Sequence, residues 1–175
     1  MITEFSLVLY TIGIGSILAA ILSALVLTSL WHEPRIWLHH FPEPLRRRMP
    51  PKTSREVTLT RRYGTAIVPL FFGVPIAAAL HLRAIDPSVS YLALGLVAFV
   101  IPMVFGVVDL IMIDWLIVCA WSPRFTRASG FDNPVDYRDY MHHLRGFIAG
   151  IPLACVIALL AIGAVAVADF ATARA

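Results

Sequence analysis

Two carboxylates inside a strongly apolar segment are the residues best placed to do chemistry. Asp109 and Asp114 interrupt the apolar run at residues 91–120. A charged side chain at the centre of a membrane helix costs about 2.5 to 3.5 kcal/mol on insertion scales, so it usually serves a site or an ion pair. Five positions of an α-helix turn through about 140°, so we expect the two to meet different neighbours rather than form a catalytic dyad.

A second polar segment comes directly before the last apolar run. Asp136, Asp139, Tyr140 and His143 recur at i, i+3, i+4 and i+7, which places them on one face of a helix. A carboxylate one turn before a histidine can bind a metal with it or orient its ring, so Asp139 and His143 are metal candidates. Capping of the last helix by Asp136 and Asp139 explains the two acids equally well.

These groups define two kinds of predicted site. Asp109, Asp114 and His143 are the candidates for acid/base catalysis. The candidates for binding a substrate or the head group of an anionic lipid are Arg35, Arg62, Arg145 and Tyr140. The sequence leaves open whether a cofactor binds, since nucleotide loops and catalytic triads are not found in it.

The elements that position these residues are membrane helices. The chain of 175 residues is 59% hydrophobic with a mean hydropathy of +0.79, against roughly 45 to 50% apolar residues in soluble proteins. A span needs about 20 apolar residues, and four runs are that long: 5–30, 64–82, 91–120 and 147–170. The sequence predicts an all-α fold, a four-helix transmembrane bundle of two helical hairpins with long cytoplasmic loops, in a single integral membrane domain, 1–175.

Charge predicts the orientation. Twelve of the fourteen lysines and arginines lie in residues 32–62 and 121–145. The positive-inside rule places both segments in the cytoplasm and both termini outside, in a bacterial inner membrane. The basic pI of about 9.2 therefore indicates topology and contact with lipid rather than binding to nucleic acid. The aromatic and proline content of the loops predicts that they rest on the bundle.

Several short segments together resemble a group of small four-span bacterial integral membrane proteins. They are EPRIWL at 33–38, PPKT at 50–53, DLIMIDW at 109–115, PRF at 123–125 and YRDYMHH followed by GF at 137–147. The resemblance implies the four-span topology and the same choice of polar residues. It implies no activity.

Three functions are consistent with these patterns. The first is an accessory or ligand-binding subunit of a membrane complex, whose partners are the lipid bilayer and other membrane subunits or further copies of the chain. An alternative is a membrane-embedded enzyme that acts on an amphiphilic substrate by acid/base or metal chemistry. Another is a small oligomeric transporter, since prolines within the spans can break helices. The sequence leaves open whether the protein is an enzyme.

Overall fold

The computed structural model describes residues 3–174, and within them it contains helices and no strand. Four helices are long and apolar enough to cross a membrane, which confirms the all-α four-helix bundle and indicates a multi-pass membrane protein. Their order along the chain is α1 (Glu4–His32), a 3₁₀ segment (Pro34–His40), the short α2 (Glu43–Arg46), α3 (Ser54–Ile85), α4 (Tyr91–Val108) continued by a π-helix (Asp109–Trp121), 3₁₀ turns (Arg124–Thr126 and Pro134–Tyr137) and α5 (Tyr140–Thr172).

Polar side chains cap the N-terminus of each long helix. The hydroxyls of Thr3 and Ser90 cap α1 and α4, Thr53 and Glu56 form a capping box on α3, and Asp139 caps α5. Such caps satisfy backbone N–H groups that lack a partner within the helix. The cap of α3 lies ahead of its apolar run, so the helix begins ten residues before that run. For the same reason α5 begins seven residues before its own apolar run. Hydropathy detects only the apolar part of each of these helices.

The α4 helix lies at the centre of the bundle and packs against α1, α3 and α5. Small side chains such as Ala79, Ala98 and Ala161 are completely buried there beside Leu22 and Ile101. In lipid, small residues allow helix backbones to approach and gain van der Waals contact. This core fills the half of the bundle that contains the start of α1, the end of α5 and the 86–90 turn, which we call the terminal end.

The opposite end, which we call the loop end, carries two folded connections. Residues 33–53 and 122–139, the loop layer, share an apolar core with the ends of α1 and the π-helix. Phe41 packs edge-on against the buried Tyr137 ring, with the ring centroids 5.5 Å apart. The Tyr137 hydroxyl accepts from the N–H of Ala128 at 2.9 Å and donates to the carbonyl of Phe131 at 3.0 Å. The prediction that the loops rest on the bundle is confirmed.

The continuation of α4 as a π-helix changes the geometry of the two acids. A π-helix forms i to i+5 hydrogen bonds, so residues five apart lie above one another. Asp109 and Asp114 therefore line the same cavity, whereas the α-helical wheel predicted separate faces. The expectation that the two acids lie on separate faces is wrong for this reason, whereas they do meet different neighbours: Asp114 contacts His143 and Asp109 does not. Ser122 ends the π-helix in a left-handed conformation, and its N–H bonds to the carbonyl of Ile117 at 2.7 Å.

Candidate functional site: a cavity within the bundle

A cavity of about 610 Å³ lies between α1, α3, α4 and α5, beneath the loop layer. Its deeper part, towards the middle of the bundle, is apolar. The residues that line this part are Ile67, Phe71, Pro102, Met103, Gly150 and Ala154. A volume of roughly 300 to 1,000 Å³ with a mostly apolar wall is typical of small-molecule sites.

The part of the cavity nearest the loop end is polar. Its wall includes seven ionisable side chains, which come from the loop layer, the π-helix and the start of α5: His39, His40, Asp109, Asp114, His142, His143 and Arg145. The fold thus brings together three segments that are far apart in the sequence. The resulting cavity is amphipathic, with its polar groups at one end only.

Asp114 and His143 form the closest ionisable pair on this wall. The Nδ1 atom of His143 lies 3.0 Å from Oδ1 of Asp114, and the histidine side chain is only 8% exposed. A carboxylate at this distance fixes the orientation of the imidazole ring. The Nε2 atom is buried without a hydrogen-bond partner in the described part of the chain, beside the Cys119 thiol. The sequence named both residues as candidates, and the structure places them in contact.

Asp109 lies about one turn deeper than Asp114. Within residues 3–174 its carboxylate forms no hydrogen bond or ion pair, and the nearest charges that act on it are those of Asp114 and His143. It is partly buried on the cavity wall. Its carboxylate is therefore available to a molecule in the cavity.

His39 and His40 of the loop layer were not among the predicted site residues. Both line the cavity because the 3₁₀ segment folds over it. The Nε2–H of His142 donates to the carbonyl of His40 at 3.0 Å. The His40 ring keeps an accessible surface at the cavity, yet protein surrounds it, and this burial lowers the pKa of His40 below its ordinary value of 6.5. It is therefore neutral at pH 7.

Arg35 is held inside the loop layer and does not reach the cavity. Its Nε lies 2.7 Å from a carboxylate oxygen of Glu56, and both side chains are nearly buried. Its NH2 group also donates to the carbonyls of Pro50 and Pro51. These contacts tie the first loop to the start of α3. The head-group role of Arg35 stays a prediction from the sequence, and in this structure its guanidinium is occupied by protein groups.

The other predicted binding residues lie in different places. Arg145 is exposed and lines the cavity, whereas Arg62 is exposed on α3 away from it. Tyr140 is 44% exposed and packs against Trp115, whose Nε1–H donates to the Tyr140 carbonyl at 3.2 Å. Of these residues, only Arg145 is brought to the polar wall.

The two predicted metal ligands, Asp139 and His143, make different contacts in the structure. The Oδ1 atom of Asp139 accepts from the N–H of His142 at 2.9 Å, as a helix cap does. Among the described residues there is no group of three or more His, Cys, Asp or Glu side chains that could hold a metal ion. The metal site therefore stays a prediction from the sequence, and Asp139 has a capping role that accounts for it.

Comparison with models of protein families, with curated proteins and with solved structures gives no match for this chain. The cavity and its residues are therefore the features that indicate a function.

Proposed function

We propose that this protein binds an amphiphilic small molecule in the cavity, as a ligand-binding or accessory subunit in the membrane. The observation that supports this role is the division of the cavity wall. An apolar part suits an alkyl or ring system, and the ionisable end suits a polar head group. A soluble polar ligand would leave the apolar part unfilled.

The position of the opening supports entry from the bilayer. Arg145, Gly146 and Ala149 lie on α5, are exposed and also belong to the cavity wall. An amphiphile already oriented in the membrane has its head group near the loop end and its chain at depth. It can therefore enter beside α5 without turning over.

Filling the cavity tests this role. A Cβ atom at Gly150 meets no atom within 4 Å, so the Gly150→Leu side chain extends into the open space of the cavity. Gly163 is the matched control, because it lies on the same helix, is equally free of neighbours and is outside the cavity wall. Both variants should fold.

The measurement is native mass spectrometry of the delipidated protein with dodecyl amphiphiles in a non-ionic detergent. We expect a one-to-one adduct with the wild type and Gly163→Leu, and its loss in Gly150→Leu. An equal amount of adduct in all three proteins would contradict the proposal, because the bound amphiphile would then lie elsewhere on the bundle.

The pairing of Asp114 with His143 favours acid/base catalysis on the bound amphiphile as a second candidate. The test is incubation of membrane lipids with the wild type and with His143→Gln, followed by mass spectrometry. A lipid consumed only by the wild type would support catalysis. Equal lipid profiles, with amphiphile binding retained, would leave binding as the function of the cavity.

A further inference from the structure

Two charged side chains on the cavity wall, Asp109 and Arg145, are unpaired in the described part of the chain. Asp114 is paired with His143, at 3.0 Å, and the exposed Arg145 forms no ion pair with a described residue. Asp109 is therefore the one carboxylate on the wall without a partner in the described part of the chain. An unpaired carboxylate at this depth is expensive to keep ionised. A bound cation would remove that cost.

Aromatic rings lie on the deep side of Asp109. Phe105 is four residues before it, so it lies one helical turn deeper on a similar face. Phe71 packs edge-on against Phe105, with ring centroids 6.2 Å apart. Phe147 lies against Gly106, where a Cβ atom would come within 3.2 Å of its ring. The glycine thus allows this ring to reach the α4 backbone.

All three rings belong to the cavity wall. The faces of aromatic rings attract ammonium groups and their alkyl substituents. An ionised carboxylate accepts hydrogen bonds and donates none, so its best partner is a charged donor. A carboxylate beside three rings is therefore suited to an organic cation.

We propose that the head group bound in this cavity is the ammonium of an amphiphilic amine, with its nitrogen at Asp109 and its chain along Phe71, Pro102 and Ala154. This inference rests on the proposed binding function and specifies its ligand class. An anionic head group would instead pair with the exposed Arg145 and would leave Asp109 without a partner. The ammonium belongs either to a free long-chain amine or to an aminolipid head group, which present the same chemistry to Asp109.

The experiment compares three dodecyl compounds that differ only in the head group: dodecylamine, dodecanol and dodecanoate. Their adducts are measured by native mass spectrometry with the wild type, Asp109→Asn, Asp109→Glu and Asp132→Asn. Asp132 is the matched control, because it is an exposed loop-layer aspartate outside this cavity. The glutamate variant keeps the charge.

We expect the wild type to bind dodecylamine about 10-fold more tightly than dodecanol, which is what one charge-assisted hydrogen bond provides. Asp109→Asn should remove this preference and leave dodecanol binding unchanged. Asp109→Glu and Asp132→Asn should keep it. If Asp109→Asn does not fold, the order of the three compounds on the wild type still decides between a cation and an anion.

The outcomes distinguish a failure of the ammonium assignment from a failure of the binding function on which it rests. Equal binding of the three compounds, or preference for dodecanoate, with Gly150→Leu still abolishing the adduct, would overturn the ammonium assignment and keep the cavity as the binding site. Adducts insensitive to Gly150→Leu would overturn both.

Competition with dodecylamine by phosphatidylethanolamine, but not phosphatidylcholine, would identify an aminolipid as the source. Absence of that competition would identify a free amine.

Discussion

At the terminal end of the bundle, Arg83 and Asp169 form an ion pair in which two guanidinium nitrogens contact the carboxylate. The closest nitrogen and oxygen are 2.7 Å apart. The Tyr91 hydroxyl donates to the same carboxylate at 2.6 Å, and Arg83 also donates to the carbonyls of Pro87 and Val89. At the loop end, the cavity contains Asp109 without a partner among the described residues, and Arg145 without an ion pair to any of them.

This difference separates structural charges from charges available to a ligand. The contacts of Arg83 join α3, the following turn, α4 and α5, so they account for the presence of both Arg83 and Asp169. No contact within residues 3–174 accounts for Asp109 in this way. Because unpaired charges in membrane segments are costly, the unmatched carboxylate is the stronger indication of function.

Arg35→Met should produce the largest loss of stability. It leaves the nearly buried Glu56 without its cation, and breaking a buried pair in this way costs about 3 to 5 kcal/mol. Arg62→Met, at an exposed position of α3, is the control and should have little effect. Thermal unfolding in detergent measures both. A stable Arg35→Met protein that loses amphiphile binding would instead support the head-group role that the sequence predicted.

Tyr137→Phe should have the next largest effect. It removes the hydroxyl that satisfies the Ala128 N–H and the Phe131 carbonyl in the loop layer. Leaving such buried groups unsatisfied costs about 1 to 3 kcal/mol. Hydrogen exchange should increase in residues 122–139 and stay unchanged at the terminal end. Uniform exchange across the whole chain would show that the loop layer is not a separate cooperative unit.

Arg83→Met should lower the thermal midpoint less than Arg35→Met, because its ion pair is more accessible to solvent, with side chains 22% and 31% exposed. Amphiphile binding should be unaffected, since neither Arg83 nor Asp169 lines the cavity. Native mass spectrometry checks the second statement. A loss of the dodecylamine adduct in this variant would contradict the division between the two ends.

Acidification should have the smallest effect. Because the pKa of His40 is lowered in the folded protein, the unfolded chain binds a proton first as the pH falls below about 6.5. The folded state therefore loses stability below that pH and not above it. The protection factors of residues 34–49, which correct for the slower intrinsic exchange of amides at low pH, should be lower at pH 5.5 than at pH 7.5, and His40→Gln should reduce the difference. Protection factors independent of pH would contradict a lowered pKa of His40 in the folded protein.

The sequence predicts the bundle and part of the site. The apolar runs gave all four helices, and Asp109, Asp114, His143 and Arg145 all line the cavity. The π-helix could not be foreseen, because no residue in 109–121 signals i to i+5 bonding. The cavity roles of His39 and His40 and the internal ion pair of Arg35 depend on how the loop layer folds back. Such tertiary contacts have no periodic signal in the sequence.

The most direct test is to locate the bound amphiphile. Dodecylamine with a diazirine at the chain terminus can be photo-crosslinked to the protein in nanodiscs, and the labelled residues identified by mass spectrometry. Binding with the nitrogen at Asp109 predicts labelling near Phe71, Pro102 and Ala154, which line the deep part of the cavity, and loss of this labelling in Gly150→Leu. Labelling confined to exposed outer positions such as Val68 and Leu159 would contradict it.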